Sequence, residues 1–104
     1  MTATASATLK DPLGLHARPC VALVKLAKSF AADIELAAGA GGAWVPAKSL
    51  MKVMKVKAPV GMALSFRADG PDAAAAVAAL ARLVDADFRD DVRDDFRNDL
   101  PGDG

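Results

Sequence analysis

At 104 residues, the chain is long enough for a single domain. Its hydrophobic share of 53% and charged share of 25% are typical of a soluble globular protein, and no apolar run is long enough to span a membrane. The N-terminal residues lack the basic and apolar regions of a signal peptide, and the single cysteine excludes an internal disulfide. We therefore expect a cytoplasmic protein that does not insert into membranes.

The formal net charge of zero conceals an uneven distribution of charge along the chain. Residues 1–84 carry ten lysines and arginines against five acidic residues, whereas residues 85–104 carry three arginines against eight aspartates. This distribution favours acidic partners for the body of the protein. We place the domain at residues 1–87 and an acidic C-terminal extension at residues 88–104. The extension repeats an apolar residue every four positions and is expected to be helical or disordered.

The first part of the chain predicts a strand, a turn and a helix. Residues 2–9 alternate hydroxyl-bearing and apolar side chains, a pattern typical of a half-buried strand. The segment DPLG at 11–14 has the composition of a turn. From Ala17 onward, apolar residues recur at the spacing i, i+3, i+4 and i+7, which predicts an amphipathic helix with Pro19 in its first turn.

The remainder predicts three more strands and two more helices. They are the strands 33–37, 43–45 and 62–68 and the helices 48–55 and 69–84. The glycine-rich residues 39–42 suit a hairpin loop, and Pro46 suits the end or edge of the following strand. Ser49 is expected to be the N-cap of the short helix, and Pro71 to lie in the first turn of the last one. The order β-α-β-β-α-β-α predicts an α+β domain with the helices on one face of a four-stranded antiparallel sheet.

His16, the only histidine, lies at the predicted start of the first helix. Cys20 is the only other metal ligand at helical spacing, and its position on the apolar stripe favours a core residue instead of a ligand or nucleophile. The unpaired N–H groups of a helix start bind phosphate, and Arg18 can contact the same oxygens. Gly14 and Pro19 suit the turn before the helix and its first turn. The residues alone leave open whether His16 accepts a phosphoryl group or makes one structural hydrogen bond.

Two motifs resemble those of a known family. The segment GLHARP, residues 14–19, resembles the active-site motif of HPr, the histidine-containing phosphocarrier of the bacterial phosphoenolpyruvate-dependent phosphotransferase system. The segment KSLMKVMK, residues 48–55, resembles the second-helix region of that family. The resemblance covers residues 2–86 and implies the open-faced β-sandwich of the family.

The resemblance also implies a role for particular residues. His16 is expected to accept a phosphoryl group on Nδ1 from phosphorylated enzyme I and to pass it to an enzyme IIA in sugar uptake. Arg18 is expected to stabilise the phosphohistidine. The docking surface is expected to combine apolar and basic side chains, namely Leu50, Met51, Met54, Arg18, Lys48 and Lys52. Methionines and a basic rim suit a carrier that docks briefly on two different acidic partners.

Ser49 has a second expected role, because a serine kinase phosphorylates the corresponding serine in part of the family. A phosphate there would add negative charge to the docking surface. The chain departs from the family at Lys57, where a glycine is common, and at Pro59. We therefore expect the loop after the second helix to follow a different path, with Gly61 as its turn residue.

Other classes of protein are also compatible with parts of the sequence. A regulatory adaptor of the same fold, either a nitrogen-branch paralogue or a carrier modified at Ser49, would act mainly by binding proteins. The presence of both His16 and Arg18 counts against a pure adaptor. A nucleic-acid-binding module is disfavoured, because Trp44 and four phenylalanines form no evident stacking platform. We favour a monomeric phosphocarrier, which is a component of a relay and not a stand-alone enzyme, with no metal or cofactor.

Overall fold

The computed structural model describes residues 2–39 and 41–88. It contains four strands and three helices in the predicted order β-α-β-β-α-β-α. They are β1 (Thr2–Thr8), α1 (Ala17–Lys28), β2 (Asp33–Ala38), β3 (Val45–Pro46), α2 (Leu50–Met54), β4 (Ala63–Asp69) and α3 (Ala73–Asp85). The α+β open-faced sandwich expected from the sequence is therefore confirmed. None of the helices in the described part of the chain is long and apolar enough to cross a membrane.

The strands form one antiparallel sheet in the order β1-β4-β2-β3. Strand β4 lies between β1 and β2, so that Phe66 is opposite Ala5 on one side and Leu36 on the other. Burial alternates along β1 and β4, as the period of two predicts, whereas in β2 the neighbours Leu36 and Ala37 are both buried. The exposed face of β1 is polar, because it carries the threonines and serine.

The core lies between this sheet and the helices. Its largest side chain is Phe66 of β4, which is fully buried together with Leu36 of β2. Helix α1 contributes Leu23, and α3 contributes Leu80 and Leu83. Burying a leucine or phenylalanine side chain contributes about 1.5–3 kcal/mol, so this layer supplies most of the drive for folding. The small alanines that fill the rest of the interface let the helices lie close to the sheet.

Most element boundaries differ from the predicted ones, and two of the differences involve Trp44 and Pro71. The third strand is Val45–Pro46 instead of 43–45, and Trp44 lies outside it with its ring 4.1 Å from the guanidinium carbon of Arg67. This cation–π contact joins Trp44 to β4, the strand that carries Arg67. Pro71 precedes the last helix instead of lying in its first turn, because Asp72 is the N-cap and has non-helical backbone angles.

The described chain ends just after α3. Phe88, which the sequence analysis assigns to the extension, is buried and belongs to the core. Its N–H donates to the carbonyl of Leu83 at 2.9 Å, and both Asp87 and Phe88 have positive φ angles. The extension itself, from residue 89 onward, lies outside the described residues, so its helical or disordered character stays a prediction.

Candidate functional site

The single histidine occupies the N-cap of α1, as its position before the amphipathic stripe predicts. Its backbone is extended, with φ −119° and ψ −171°, and its carbonyl accepts from the Cys20 N–H at 3.1 Å. The His16 side chain makes no capping bond to the helix. By their position, the N–H groups of Ala17 and Arg18 have no carbonyl partner within the helix, and Pro19 has no N–H. His16 is therefore followed directly by two amides that are available to an anion.

The imidazole of His16 is held by a carboxylate that the sequence analysis did not single out. Nε2 of His16 lies 3.2 Å from Oδ2 of Asp11, and the side chains are 32% and 26% exposed. Oδ1 of the same carboxylate accepts from the Leu13 N–H at 2.8 Å. The hydrogen bond from the Leu13 N–H lowers the pKa of Asp11 below its ordinary value, and the hydrogen bond to His16 lowers it further by a smaller amount. Asp11 is therefore an ionised acceptor at neutral pH, with one oxygen on the backbone and one on the ring.

The loop that carries Asp11 rests on the loop between α2 and β4. The Leu15 N–H donates to the Ala58 carbonyl at 2.8 Å, which ties the two loops together next to His16. Gly14 has φ +71°, and a Cβ at this position would lie far inside van der Waals contact of the Ala58 oxygen. Only glycine combines this backbone angle with so close an approach. Gly61, the predicted turn residue of the second loop, also has a positive φ, of +90°.

Helix α2 presents the apolar side chains that the sequence analysis assigned to docking. Val53 faces the core and is fully buried, whereas Leu50 and Met54 are exposed and Met51 is 74% exposed. Ser49 is the N-cap, as predicted, and its hydroxyl accepts from the Lys52 N–H at 3.4 Å. The short helix therefore has one face that holds it to the domain and one that is free for contact.

The basic residues of the predicted docking surface do not all lie together. Arg18 is exposed in the first turn of α1, and Lys52 is exposed on α2. Lys48 instead donates to the Phe30 carbonyl at 2.7 Å. Phe30 follows the C-terminal end of α1, and His16 precedes its N-terminal end, about 18 Å away along a twelve-residue helix. The structure therefore directs the Lys48 ammonium away from the histidine.

Two exposed apolar residues on the loops next to the histidine were not predicted from the sequence. Leu13 is 74% exposed and immediately precedes the glycine that contacts Ala58 and Pro59. Val60, which follows Pro59, is exposed as well. The sequence feature that could have predicted their exposure is the presence of an apolar residue in each turn segment, where polar residues are usual.

Cys20 is a core residue, as its place on the apolar stripe predicts. It is 1% exposed, and burial raises the pKa of its thiol. Its Sγ lies 3.9 Å from the carbonyl oxygen of Val53, which joins α1 to α2. Within residues 2–39 and 41–88, no group of three or more histidine, cysteine, aspartate or glutamate side chains lies close enough to hold a metal ion.

A single half-buried imidazole, bonded through one nitrogen at a helix start and followed by an exposed arginine, is the arrangement expected of a phosphohistidine carrier. The comparisons with known proteins agree with this class. The family model described as the PTS HPr component phosphorylation site matches residues 3–86. The chain belongs to the HPr family of phosphocarriers of the phosphotransferase system.

Individual relatives support the same assignment. The phosphocarrier protein HPr of Cupriavidus necator is 38% identical over 77 residues, which cover 74% of this chain and 84% of that protein. The multiphosphoryl transfer protein of Vibrio cholerae is 44% identical over 84 residues, covering 80% of this chain but only 21% of that longer protein. The crystal structure of HPr-C-His from Thermoanaerobacter tengcongensis superposes with a TM-score of 0.75 and 29% identity, over 86% of this chain and 98% of that one.

Proposed function

We propose that this protein carries a phosphoryl group on Nδ1 of His16 in the cytoplasm. It receives the group from phosphorylated enzyme I and delivers it to an enzyme IIA during sugar uptake. One observation carries the proposal: His16 is at the start of α1, and its Nε2 lies 3.2 Å from the Asp11 carboxylate, so Nδ1 is the ring nitrogen left for a phosphoryl group. Membership of the HPr family supports the same chemistry.

The surroundings of the ring suit a phosphoryl group that must be held and then released. The N–H groups at the start of α1 and the partial positive charge of the helix end stabilise phosphoryl oxygens. Arg18 is exposed in the same turn, and its guanidinium can donate to two of those oxygens. These groups stabilise the charge during transfer without enclosing it, so the group remains accessible to the next acceptor.

Docking on two different partners suits the face formed by α2. Leu50, Met51 and Met54 supply exposed apolar contact area. Arg18 and Lys52 supply positive charge at its edge, which speeds encounters with acidic partners. Because Lys48 is bound to the Phe30 carbonyl, we expect it to contribute less to docking than Lys52 does.

The proposal is tested by intact mass after incubation with phosphoenolpyruvate and enzyme I. We expect an acid-labile gain of one phosphoryl group in the wild type and none in His16→Ala. Transfer onward to a purified enzyme IIA then tests the second half of the relay. If the folded wild type gains no mass, while the same enzyme I phosphorylates an established carrier, the protein is not a phosphocarrier and a regulatory adaptor becomes the better account.

We further propose that a serine kinase can regulate the carrier at Ser49. A phosphate on this hydroxyl would stand next to Leu50 and place a double negative charge in the docking face. Ser49→Asp is expected to slow phosphoryl transfer from enzyme I, whereas Ser49→Ala, which only removes the cap, leaves the rate near that of the wild type. Equal rates for both variants would remove the basis for regulation at this position.

A further inference from the structure

We propose that Asp11 is the positioning residue of this site, and that it holds the neutral His16 ring in the tautomer with the proton on Nε2 and the lone pair on Nδ1. The effect of this tautomer on phosphoryl transfer rests on the proposed function, whereas the contact between Asp11 and His16 does not. Oδ2 of Asp11 lies 3.2 Å from Nε2, and within residues 2–39 and 41–88 no other side chain forms a hydrogen bond with the ring.

A backbone hydrogen bond orients the Asp11 carboxylate independently of the His16 ring. Oδ1 accepts from the Leu13 N–H at 2.8 Å, so the side chain of Asp11 bonds to the backbone two residues further on. Pro12 lies between them and restricts the backbone of the turn. With Oδ1 held in this way, Oδ2 is the oxygen that faces His16.

The neighbouring cation does not compete for this oxygen. Lys10 directs its ammonium to Asp85 at the end of α3, with Nζ 3.0 Å from Oδ1 and 2.8 Å from the carbonyl oxygen. Asp11 is therefore left to the Leu13 N–H and the imidazole. These two donors also lower its pKa, so the group stays ionised where the ring is neutral.

An ionised carboxylate can only accept hydrogen bonds, so its partner nitrogen must be a donor. A neutral imidazole has one N–H, and a proton on Nε2 leaves Nδ1 with its lone pair. The same logic applies where a carboxylate fixes the tautomer of a histidine that acts through its other nitrogen. Asp11 thereby presents a nucleophilic Nδ1 in every encounter instead of in a fraction of them.

The arrangement also fits the charge that develops during transfer. The Nδ1 lone pair forms the new bond to phosphorus, while the bond from phosphorus to the donor breaks and its electron pair leaves with the donor. The proton stays on Nε2 throughout, and the ring gains positive charge as the bond forms. The Asp11 carboxylate stabilises that charge, and the reverse sequence releases the group to the next acceptor.

The test uses Asp11→Asn, which keeps the size of the side chain. Its one oxygen can still accept from the Leu13 N–H, and its NH₂ group then faces Nε2 as a donor. To accept this hydrogen bond, Nε2 must carry a lone pair, and the ring proton is then on Nδ1. Asp33→Asn is the matched control, because it removes the same charge from an exposed position in β2. Thermal unfolding of both variants verifies that they remain folded.

Two readouts are compared at a pH where the ring is neutral. Nitrogen-15 NMR of the ring is expected to show the proton on Nε2 in the wild type and in Asp33→Asn, and on Nδ1 in Asp11→Asn. The rate of phosphoryl acceptance from enzyme I is expected to fall by about tenfold to a hundredfold in Asp11→Asn only. A wild type with its proton on Nδ1, or an Asp11→Asn variant with unchanged tautomer and rate, would overturn the proposal.

The two proposals fail separately. If the tautomer follows the expected pattern but no protein accepts a phosphoryl group, the phosphocarrier function is wrong and the role of Asp11 in orienting the ring stands. If the wild type is phosphorylated and Asp11→Asn changes neither readout, Asp11 is a turn residue only.

Discussion

Asp11 and Asp72 use the same chemistry at two ends of the molecule and achieve different things. Each carboxylate accepts from backbone N–H groups, and in each case the first of these bonds lowers the pKa of the acid. Asp72 gives both oxygens to the backbone, accepting from Ala31 at 2.9 Å and Ala32 at 2.8 Å. Asp11 gives one oxygen to Leu13 and keeps the other for His16.

The partner of the second oxygen determines what each of these carboxylates does. Asp72 is the N-cap residue of α3, yet its side chain does not cap its own helix. It bonds instead to the segment that leads from α1 into β2, and so fastens the start of one helix to the end of another. Asp11 makes only one such bond to the backbone, to Leu13. We therefore expect changes around Asp72 to affect stability, and changes around Asp11 to affect chemistry.

The largest effect is expected from removing the cation at the histidine end. Arg18→Ala should lower the rate of phosphoryl acceptance by on the order of a hundredfold, because a donor to the developing phosphoryl charge is lost. The matched control is Lys28→Ala, which removes an exposed cation from the last turn of the same helix. Equal rate losses in the two variants would mean that net charge, and not the position of Arg18, determines the rate.

A second pair of changes separates two costs to stability, the clash of an added Cβ with Ala58 and the strain of a positive φ angle. Gly14→Ala should lower the free energy of unfolding by at least about 2 kcal/mol, because it adds backbone strain and a clash with the Ala58 carbonyl. Gly61→Ala adds the strain alone, since nothing lies within 4 Å of its added Cβ, and should lower it by about 1 kcal/mol. Denaturant unfolding measures both values. Equal losses would show that the approach to Ala58 contributes little.

A third change tests the two hydrogen bonds that Asp72 accepts from Ala31 and Ala32. Asp72→Asn has one oxygen for the two N–H groups of Ala31 and Ala32, so it should lower the melting temperature and leave the rate of phosphoryl acceptance unchanged. Asp11→Asn should do the reverse, since it retains an acceptor for Leu13. An Asp72→Asn variant that is as stable as the wild type but slower in transfer would contradict the division between the two carboxylates.

The smallest effect is a pH dependence of stability. The N–H of Ala31, together with that of Ala32, lowers the pKa of Asp72 below its ordinary value of 3.8. A carboxyl group with a lowered pKa in the folded state stabilises the protein above its ordinary pKa, and this contribution is lost as the pH falls through the lowered one. Acid unfolding should therefore separate wild type from Asp72→Asn above pH 3.8, and the two should converge as the pH falls from 3.8 through the lowered pKa. Curves that stay parallel throughout would exclude the ionised carboxylate as the cause.

The fold was predictable because its signals are local. Alternation in β1 and β4, the 3.6-residue spacing in α1, and the serine before α2 each act within a few residues. The position of His16 at the helix start was predictable for the same reason. Two motifs also resemble those of the HPr family, and the match over residues 3–86 confirms that resemblance.

The missed features depend on how segments distant in sequence meet, or on the exact geometry of a turn. Asp11 was treated as a turn residue, and only the folded turn reveals that its second oxygen reaches the ring. Lys48 was placed with the docking residues on the resemblance to the family, and the carbonyl to which its ammonium donates belongs to Phe30, eighteen residues earlier. Pro71 lies outside its helix because Asp72, which accepts from Ala31 and Ala32, is the N-cap.

The most direct test of the account is the position of phosphorus on the ring of the phosphorylated protein. Phosphorus–nitrogen couplings in nitrogen-15-labelled protein identify the nitrogen that carries the group. We expect phosphorus on Nδ1 of His16 and a retained proton on Nε2, the nitrogen that faces Asp11. Phosphorus on Nε2, or on any residue other than His16, would contradict the account.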